Sequence, residues 1–446
     1  MNQNSELEAL RKELDQLQAE HQRILGSTSY RVGRLLTGAA TSPRALLRLP
    51  LDVMQLAREM RARRKPLGPD DENFQTVLRN WQGLAERVRA GEAKEIVFLF
   101  SGTTHIQDTR GNRPIRQTLA LLARGTPVLF SYHRSRKDEP LPAFHADGLV
   151  QSPVDITMQI LGKIAAADLG GARKLFIISY PLPGIEKSID MFRAHGWTIV
   201  YDCRDDWEEF SKVGMASWYN ADVEQLVVRK SDRVFCVSGP LVEKMRRQTG
   251  CSHVELMPNA VESNFLPEGY QHNPAVSPKV VGYFGHLSPA WFDWEGLAEI
   301  ARRRPQYRFE VIGHSAPSMD LSENIDLLGP KQWHQLHNYA ARWSAAIIPF
   351  RMGLLADGVD PIKIYEYLSF GLPVVSFRMP QIDNYPYTRT VESIDDFCEA
   401  LDEATETVPD QAVIDAFIAR NTWEVRAEEL LSVLDHGSGA SRGADI

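Results

Sequence analysis

From Ile96 onward, short continuous apolar runs alternate with longer stretches in which apolar residues recur every three to four positions. Unbroken apolar runs bounded by polar loops mark strands buried on both faces, and the longer period between them marks helices. The pattern is therefore that of βαβ units around parallel sheets. It predicts strands at 96–100, 128–131, 175–179, 198–201, 234–237 and 254–257, and a second set at 280–284, 309–312, 325–328, 345–349 and 373–377. Residues 266–279 hold three prolines, one glycine and no periodicity, and read as a linker between the sets. The expected architecture is α/β: two Rossmann-like doubly wound parallel-sheet domains, at 68–265 and 280–435, followed by a flexible tail at 436–446. Open α/β sheets bind ligands beyond the carboxyl ends of their strands, so two such sheets form a cleft with one face for a donor and one for an acceptor.

The first 67 residues follow a different pattern, that of a helical arm. Leu7, Leu10, Leu14, Leu17, His21 and Ile24 alternate in steps of three and four, the a/d seam of a short coiled coil. Residues 5–25 could pair with a second copy or a partner protein, or dock on their own body. In residues 27–65, Leu46, Leu47, Leu49, Leu51, Val53, Met54 and Leu56 are interleaved with arginines, as in a basic amphipathic segment lying on an anionic membrane surface. The other reading is a helical hairpin with solvated arginines.

Charge sharpens this division. The total of −8 splits into +5 on residues 1–65 and −13 on the rest, and so acidic a body argues against nucleic acid as the ligand. Cys203, Cys236, Cys251 and Cys398 form no CxxC pair, and no apolar run approaches the ~20 residues that span a bilayer. The expected location is the cytoplasm, peripheral on the inner face of the cytoplasmic membrane.

The most informative stretch is 360–375. Asp360 suits an N-cap, Pro361 the first helical position, Gly371 the C′ position, and Pro373 stops the helix before a strand, which predicts a ten-residue helix. Lys363, Glu366 and Tyr367 share one of its faces. Unpaired amides at a helix start form an anion site, and Lys363 adds a full charge suited to phosphate. Glu366, one turn on, can accept from a diol such as ribose, so the segment is suited to a nucleotide diphosphate. The plainer reading is a surface Lys/Glu pair worth ~0.2–0.5 kcal/mol.

Asp202, Asp205 and Asp206 follow the strand at 198–201, which places them at its carboxyl end. A carboxylate there can serve as general base toward an acceptor hydroxyl. Asp205 is favoured as the base and Asp202 as a group that orders the loop; alternatively these acids cap the next helix and pair with Arg204. Around the first two strand ends, His105, Arg110 and His133 are candidate acceptor contacts. No AspxAsp motif is present and no metal is expected. No GlyxGlyxxGly follows a strand, which disfavours a nicotinamide dehydrogenase.

The order of short motifs adds to this. Gly-Tyr-Phe-Gly-His-Leu at 282–287, Phe-Glu-Val-Ile-Gly at 309–313, Asn-Ile-Asp-Leu-Leu-Gly at 324–329, Ala-Ile-Ile-Pro-Phe at 346–350 and Pro-Ile-Lys-Ile-Tyr-Glu-Tyr-Leu at 361–368 together resemble the family-4-like donor domain of GT-B nucleotide-sugar glycosyltransferases of the bacterial surface-polysaccharide type. Met-Pro-Asn-Ala-Val-Glu at 257–262 resembles the segment that closes the first domain in that family, with Ala260 where Gly is usual. The resemblance implies that Gly285 and His286 lie near the donor phosphates or sugar, that Lys363 neutralises the diphosphate and that Glu366 binds ribose. It further implies that Gly313 and Gly329 let backbone approach the nucleoside, with Asp360 alongside them. It implies a nucleotide-sugar donor, a lipid-linked glycan acceptor and no cofactor. Two departures stand out. The second glutamate that many retaining members place eight residues before the position of Glu366 is Gly358 here, and Trp291–Glu295 lacks the usual Arg and Lys after the first loop. A catalytically silent scaffold and a sugar-nucleotide epimerase fit the same donor motifs.

Overall fold

The computed structural model describes residues 71–107, 111–275, 277–314, 316 and 319–436. The heptad seam at 5–25, the basic stretch at 27–65, Arg110 and the tail from 437 onward lie outside the described residues. The described residues up to 135 and from 139 onward form one compact unit.

That unit contains two sheets. The first holds β1 (Glu95–Phe100), β2 (Val128–Tyr132), β3 (Leu149–Pro153), β4 (Arg173–Ile178), β5 (Trp197–Cys203), β6 (Arg233–Cys236) and β7 (Val254–Leu256), in the order β3-β2-β1-β4-β5-β6-β7. The second holds β8 (Lys279–His286), β9 (Tyr307–His314), β10 (Ile325–Gly329), β11 (Trp343–Ile348), β12 (Val374–Phe377) and β13 (Thr388–Val391), ordered β10-β9-β8-β11-β12-β13. Every pairing within both sheets is parallel. Central strands are apolar throughout because helices cover both faces: Ile96 to Phe100 are fully buried, and Phe98 stacks on Phe176 of β4 at 4.6 Å.

Each sheet contains one strand that the apolar pattern does not predict. β3 reads Leu-Val-Gln-Ser-Pro and β13 reads Thr-Arg-Thr-Val, and both lie at sheet edges, where one side is open and the continuous apolar run is not required.

Strand order reverses between β1 and β4 in the first sheet and between β8 and β11 in the second, so each sheet has a switch point where a crevice opens at the carboxyl ends.

The chain crosses between the domains twice, and the two passages are bonded to each other. Val261 N donates to Asn421 O at 3.1 Å, Trp423 N donates to Val261 O at 3.0 Å, and Arg426 Nε donates to Pro258 O at 2.8 Å. The expected extents therefore need correction at both ends. Helix Trp423–His436 packs against helix Arg113–Ala123, with Trp423, Ala427 and Leu430 in the core of the first sheet, although the sequence reading gave residues through 435 to the second domain. Val261 and Phe265 already belong to the core of the second sheet. The proline-bearing linker is also held: Tyr270 OH donates to Phe370 O at 3.2 Å and Ala275 N to Arg342 O at 2.9 Å. Among the described residues no helix is long and apolar enough to cross a membrane.

Candidate active site

Helix Ile362–Ser369 is eight residues long rather than ten. It begins after Pro361, which keeps extended backbone, and no side chain caps it. Asp360 is drawn elsewhere: its carboxylate accepts from Asn259 N at 2.6 Å, Tyr365 OH at 2.8 Å and Tyr385 OH at 3.2 Å. Burial pushes that carboxyl up to about 6 against those hydrogen bonds. Asp360 therefore ties the domain crossing to the second domain, contrary to the expected donor contact. The helix N-terminus has no side-chain cap, and with Ile364 N donating to Pro361 O at 3.0 Å the amides of Ile362 and Lys363 are those left for an anion. Its far end is as anticipated, with Gly371 at φ +79° and its N–H donating to Leu368 O at 2.8 Å.

Lys363 stands in the first turn. Its Nζ donates to Tyr283 OH at 2.8 Å and lies 4.5 Å from the ring centroids of both Tyr283 and Phe350. Burial among these rings lowers its pKa to about 7, with the Glu366 charge pulling the other way. The ammonium hangs over the end of β8: a Cβ on Gly285, at φ +146°, would lie 2.7 Å from Nζ. Gly313 pairs in register with Gly285, and its Cβ would meet the Gly285 carbonyl at 2.1 Å. These two glycines therefore permit the approach of backbone to backbone and of Lys363 to β8, a role different from the expected nucleoside contact of Gly313. Gly329 ends β10 at φ +68° with open space where a Cβ would project. The His286 ring meets that of His314 edge-on at 4.8 Å; burial, His314 and Lys363 lower its pKa, so the imidazole is neutral at physiological pH.

Glu366 is not open to the cleft in this conformation. It is 5% exposed, and its Oε1 lies 3.0 Å from Arg116 Nη2 of helix Arg113–Ala123 in the first domain.

The three aspartates after β5 separate into different roles. Asp202 is fully buried and pairs with Arg113, whose Nη2 and Nε donate at 2.8 and 3.0 Å. Arg113 Nη1 also donates to Pro258 O and Asn259 Oδ1, each at 3.1 Å, so the pair braces the domain crossing and Asp202 has no access to an acceptor. Asp206 caps helix Trp207–Lys212, accepting from Glu209 N at 3.1 Å, and binds Lys244 Nζ at 2.7 Å. Neither is placed to act as the base. Asp206, Glu208 and Glu209 bring carboxylates close together, but Lys244 and Lys212 pair with them.

Asp205 alone of the three lines a cavity of about 420 Å³, shared with Gly102, Asn112, Tyr180, Arg204, Trp207, Trp218 and Ile362. Burial pushes its carboxyl up to about 6, opposed by the charges of Arg204 and Arg113. Of the acceptor candidates, the His105 ring lies edge-on to Tyr132 at 5.6 Å with its pKa lowered by burial, and His133 is exposed. Neither lines the cavity. The sequence reading missed Tyr180, Trp207 and Trp218. Tyr180 lies two residues past β4, at the switch point of the first sheet, which was a usable signal; Trp218 offered none.

No family model matches the chain. A protein of Bacillus subtilis (strain 168), described as the teichuronic acid biosynthesis glycosyltransferase TuaH, is 23% identical over 242 residues, which is 50% of this chain and 59% of that protein. The chain thus matches little more than half the length of that relative. Among solved structures, sucrose-phosphate synthase from Thermosynechococcus elongatus superposes with a TM-score of 0.55 at 14% identity, over 77% of this chain and 98% of that one. The lipopolysaccharide outer core galactosyltransferase WaaB gives 0.53 at 14% identity, over 77% and 99%. The chain has the GT-B fold. In this GT-B chain the Lys363 helix and the Asp205 loop belong to different sheets, yet Ile362 and Asp205 line the same space.

Proposed function

We propose that the chain is a glycosyltransferase that moves a sugar from a nucleotide diphosphate to a lipid-linked glycan in surface-polysaccharide synthesis, at the cytoplasmic face of the membrane. One observation carries the reading: Ile362, the first residue of the Lys363 helix, and Asp205 of the opposing domain line a single cavity. The relative described for teichuronic acid biosynthesis and the fold shared with a lipopolysaccharide galactosyltransferase support the choice of acceptor class.

In this mechanism Lys363 and the first-turn amides bind the diphosphate, with Gly285 and His286 beside it. Ionised Asp205 takes the proton of the acceptor hydroxyl as its oxygen bonds to the anomeric carbon. The bond from that carbon to the phosphate oxygen breaks and its electron pair leaves on the diphosphate. Lys363 stabilises the charge that develops there, the part that preorganised cations play in such sites. No cofactor enters the scheme. Glu366 reaches ribose only if its ion pair with Arg116 opens, so its donor role requires a movement of the two domains.

A thermal-shift panel of uridine, guanosine and thymidine diphosphate sugars, followed by donor turnover with and without Asp205→Asn, tests the reading. One nucleotide series should raise the unfolding midpoint, and Asp205→Asn should keep that shift while losing turnover. Failure of every nucleotide sugar to bind refutes the reading and leaves a silent scaffold.

A further inference from the structure

We propose that the cavity beside Asp205 is a subsite for an acidic sugar of the acceptor, with Arg204 reading the acid group and Trp218 supporting the ring. The proposal rests on the transferase reading above and names the chemistry of its acceptor.

Two residues of this wall carry buried donors that make no hydrogen bond among the described residues: Arg204 Nε, which lies 3.5 Å from Asp205 Oδ2, and Trp207 Nε1. The Arg204 side chain is 10% exposed and packs its guanidinium 5.1 Å from the Trp207 ring centroid. Burial lowers its pKa, so the cation has surrendered much of its hydration without recovering hydrogen bonds from protein. A buried donor without an acceptor costs stability, and a guanidinium is the side chain best matched to carboxylate or phosphate oxygens. The other buried cations of this crevice are already committed. Arg113 is held by Asp202 and Arg116 by Glu366, whereas Arg204 has only its edge contact with Asp205.

The walls fit a sugar ring. Trp218 is half-exposed and meets Tyr180 edge-on at 4.3 Å and Trp207 at 5.1 Å, so its ring is braced from two sides. Tyr180 in turn lies over Gly102, where a Cβ would stand 2.5 Å from the ring, and this fixes the cavity floor. A braced indole presents apolar area to the C–H face of a pyranose, while the remaining guanidinium nitrogens of Arg204 meet its acid group. The acid group distinguishes the expected ligand from a neutral hexose, because hydrogen bonds to a charged group exceed those to a neutral one.

The test compares methyl glucuronide, glucose 6-phosphate and methyl glucoside, titrated separately into the full chain by calorimetry or saturation-transfer NMR. One or both acids should bind about tenfold more tightly than the neutral glucoside, the ratio that follows from exchanging a neutral for a charge-assisted hydrogen bond. Arg204→Gln should abolish that preference, and Trp218→Ala should weaken acids and glucoside alike. Equal binding of all three sugars, no measurable binding of any, or a preference retained in Arg204→Gln overturns the proposal. Displacement of the acids by UDP alone also overturns it, since the cavity would then belong to the donor phosphates. The two readings fail separately: loss of nucleotide-sugar binding with acid selectivity intact removes the transferase assignment but not the subsite.

Discussion

Donor affinity should fall steeply with rising pH, and the reason is the environment of one ammonium. Lys363 is enclosed by Tyr283 and Phe350, and that burial lowers its pKa to about 7. A diphosphate at its Nζ favours the charged form, so binding above pH 7 must take up a proton. A nucleotide sugar carries no phosphate group that titrates in this range, which leaves the lysine as the variable. The free protein holds the proton on about half its molecules at pH 7 and on about one in a hundred at pH 9, so the dissociation constant should rise about 50-fold, or ~2.3 kcal/mol, between the two. The direction is fixed: affinity is greatest below pH 7 and decays as pH rises through it. Calorimetric titration with the best-binding nucleotide sugar at pH 7, 8 and 9, in two buffers of different ionisation heat, measures affinity and proton uptake together. Lys363→Met should lose about 1.5–3 kcal/mol at pH 7, the range for hydrogen bonds to charged groups, and show a flat profile. A flat profile in the wild-type protein, or an unchanged slope in Lys363→Met, would refute the argument.

Three further outcomes follow from the same geometry. If Asp205 is the base it must be ionised, so kcat/KM for the acceptor should fall about tenfold per pH unit below its pKa of about 6 in the free protein, an acid limb measurable from pH 5 to 7. Asp202→Asn should destabilise the chain by about 3–5 kcal/mol in denaturant unfolding because it leaves Arg113 charged and buried, whereas the double change Arg113→Met with Asp202→Leu should cost less than the single one. Gly313→Ala should lower stability by about 1–3 kcal/mol through its clash with the Gly285 carbonyl, while Gly171→Ala, where nothing lies within 4 Å, should leave the unfolding midpoint within error.

The apolar runs were sufficient to locate most strands because strands at the centre of a doubly wound sheet are covered on both faces and must be apolar throughout. β3 and β13 escaped for the converse reason: an edge strand tolerates Gln151, Ser152 and Arg389 in its short run. Lys363 at the start of its helix was also legible, since Gly371 and Pro373 mark the far end and a helix start is an anion site by backbone geometry alone.

What the sequence could not supply were the partners of its acids. The sequence favours Asp205 as base and Asp202 as an ordering group but leaves capping and pairing with Arg204 open for all three; in the fold Asp202 is sealed against Arg113, Asp206 caps a helix beside Lys244 and Asp205 borders the cavity. Asp360 read locally as a cap and is instead held by Asn259, Tyr365 and Tyr385, partners that only the folded crossing brings within reach. Glu366 likewise meets Arg116, 250 residues away in the chain. Periodicity, turn residues and helix ends are determined by near neighbours and can be read along the chain. The charge state and availability of a carboxylate depend on burial and on counter-charges supplied from distant segments, and those were decided only when the two sheets packed together.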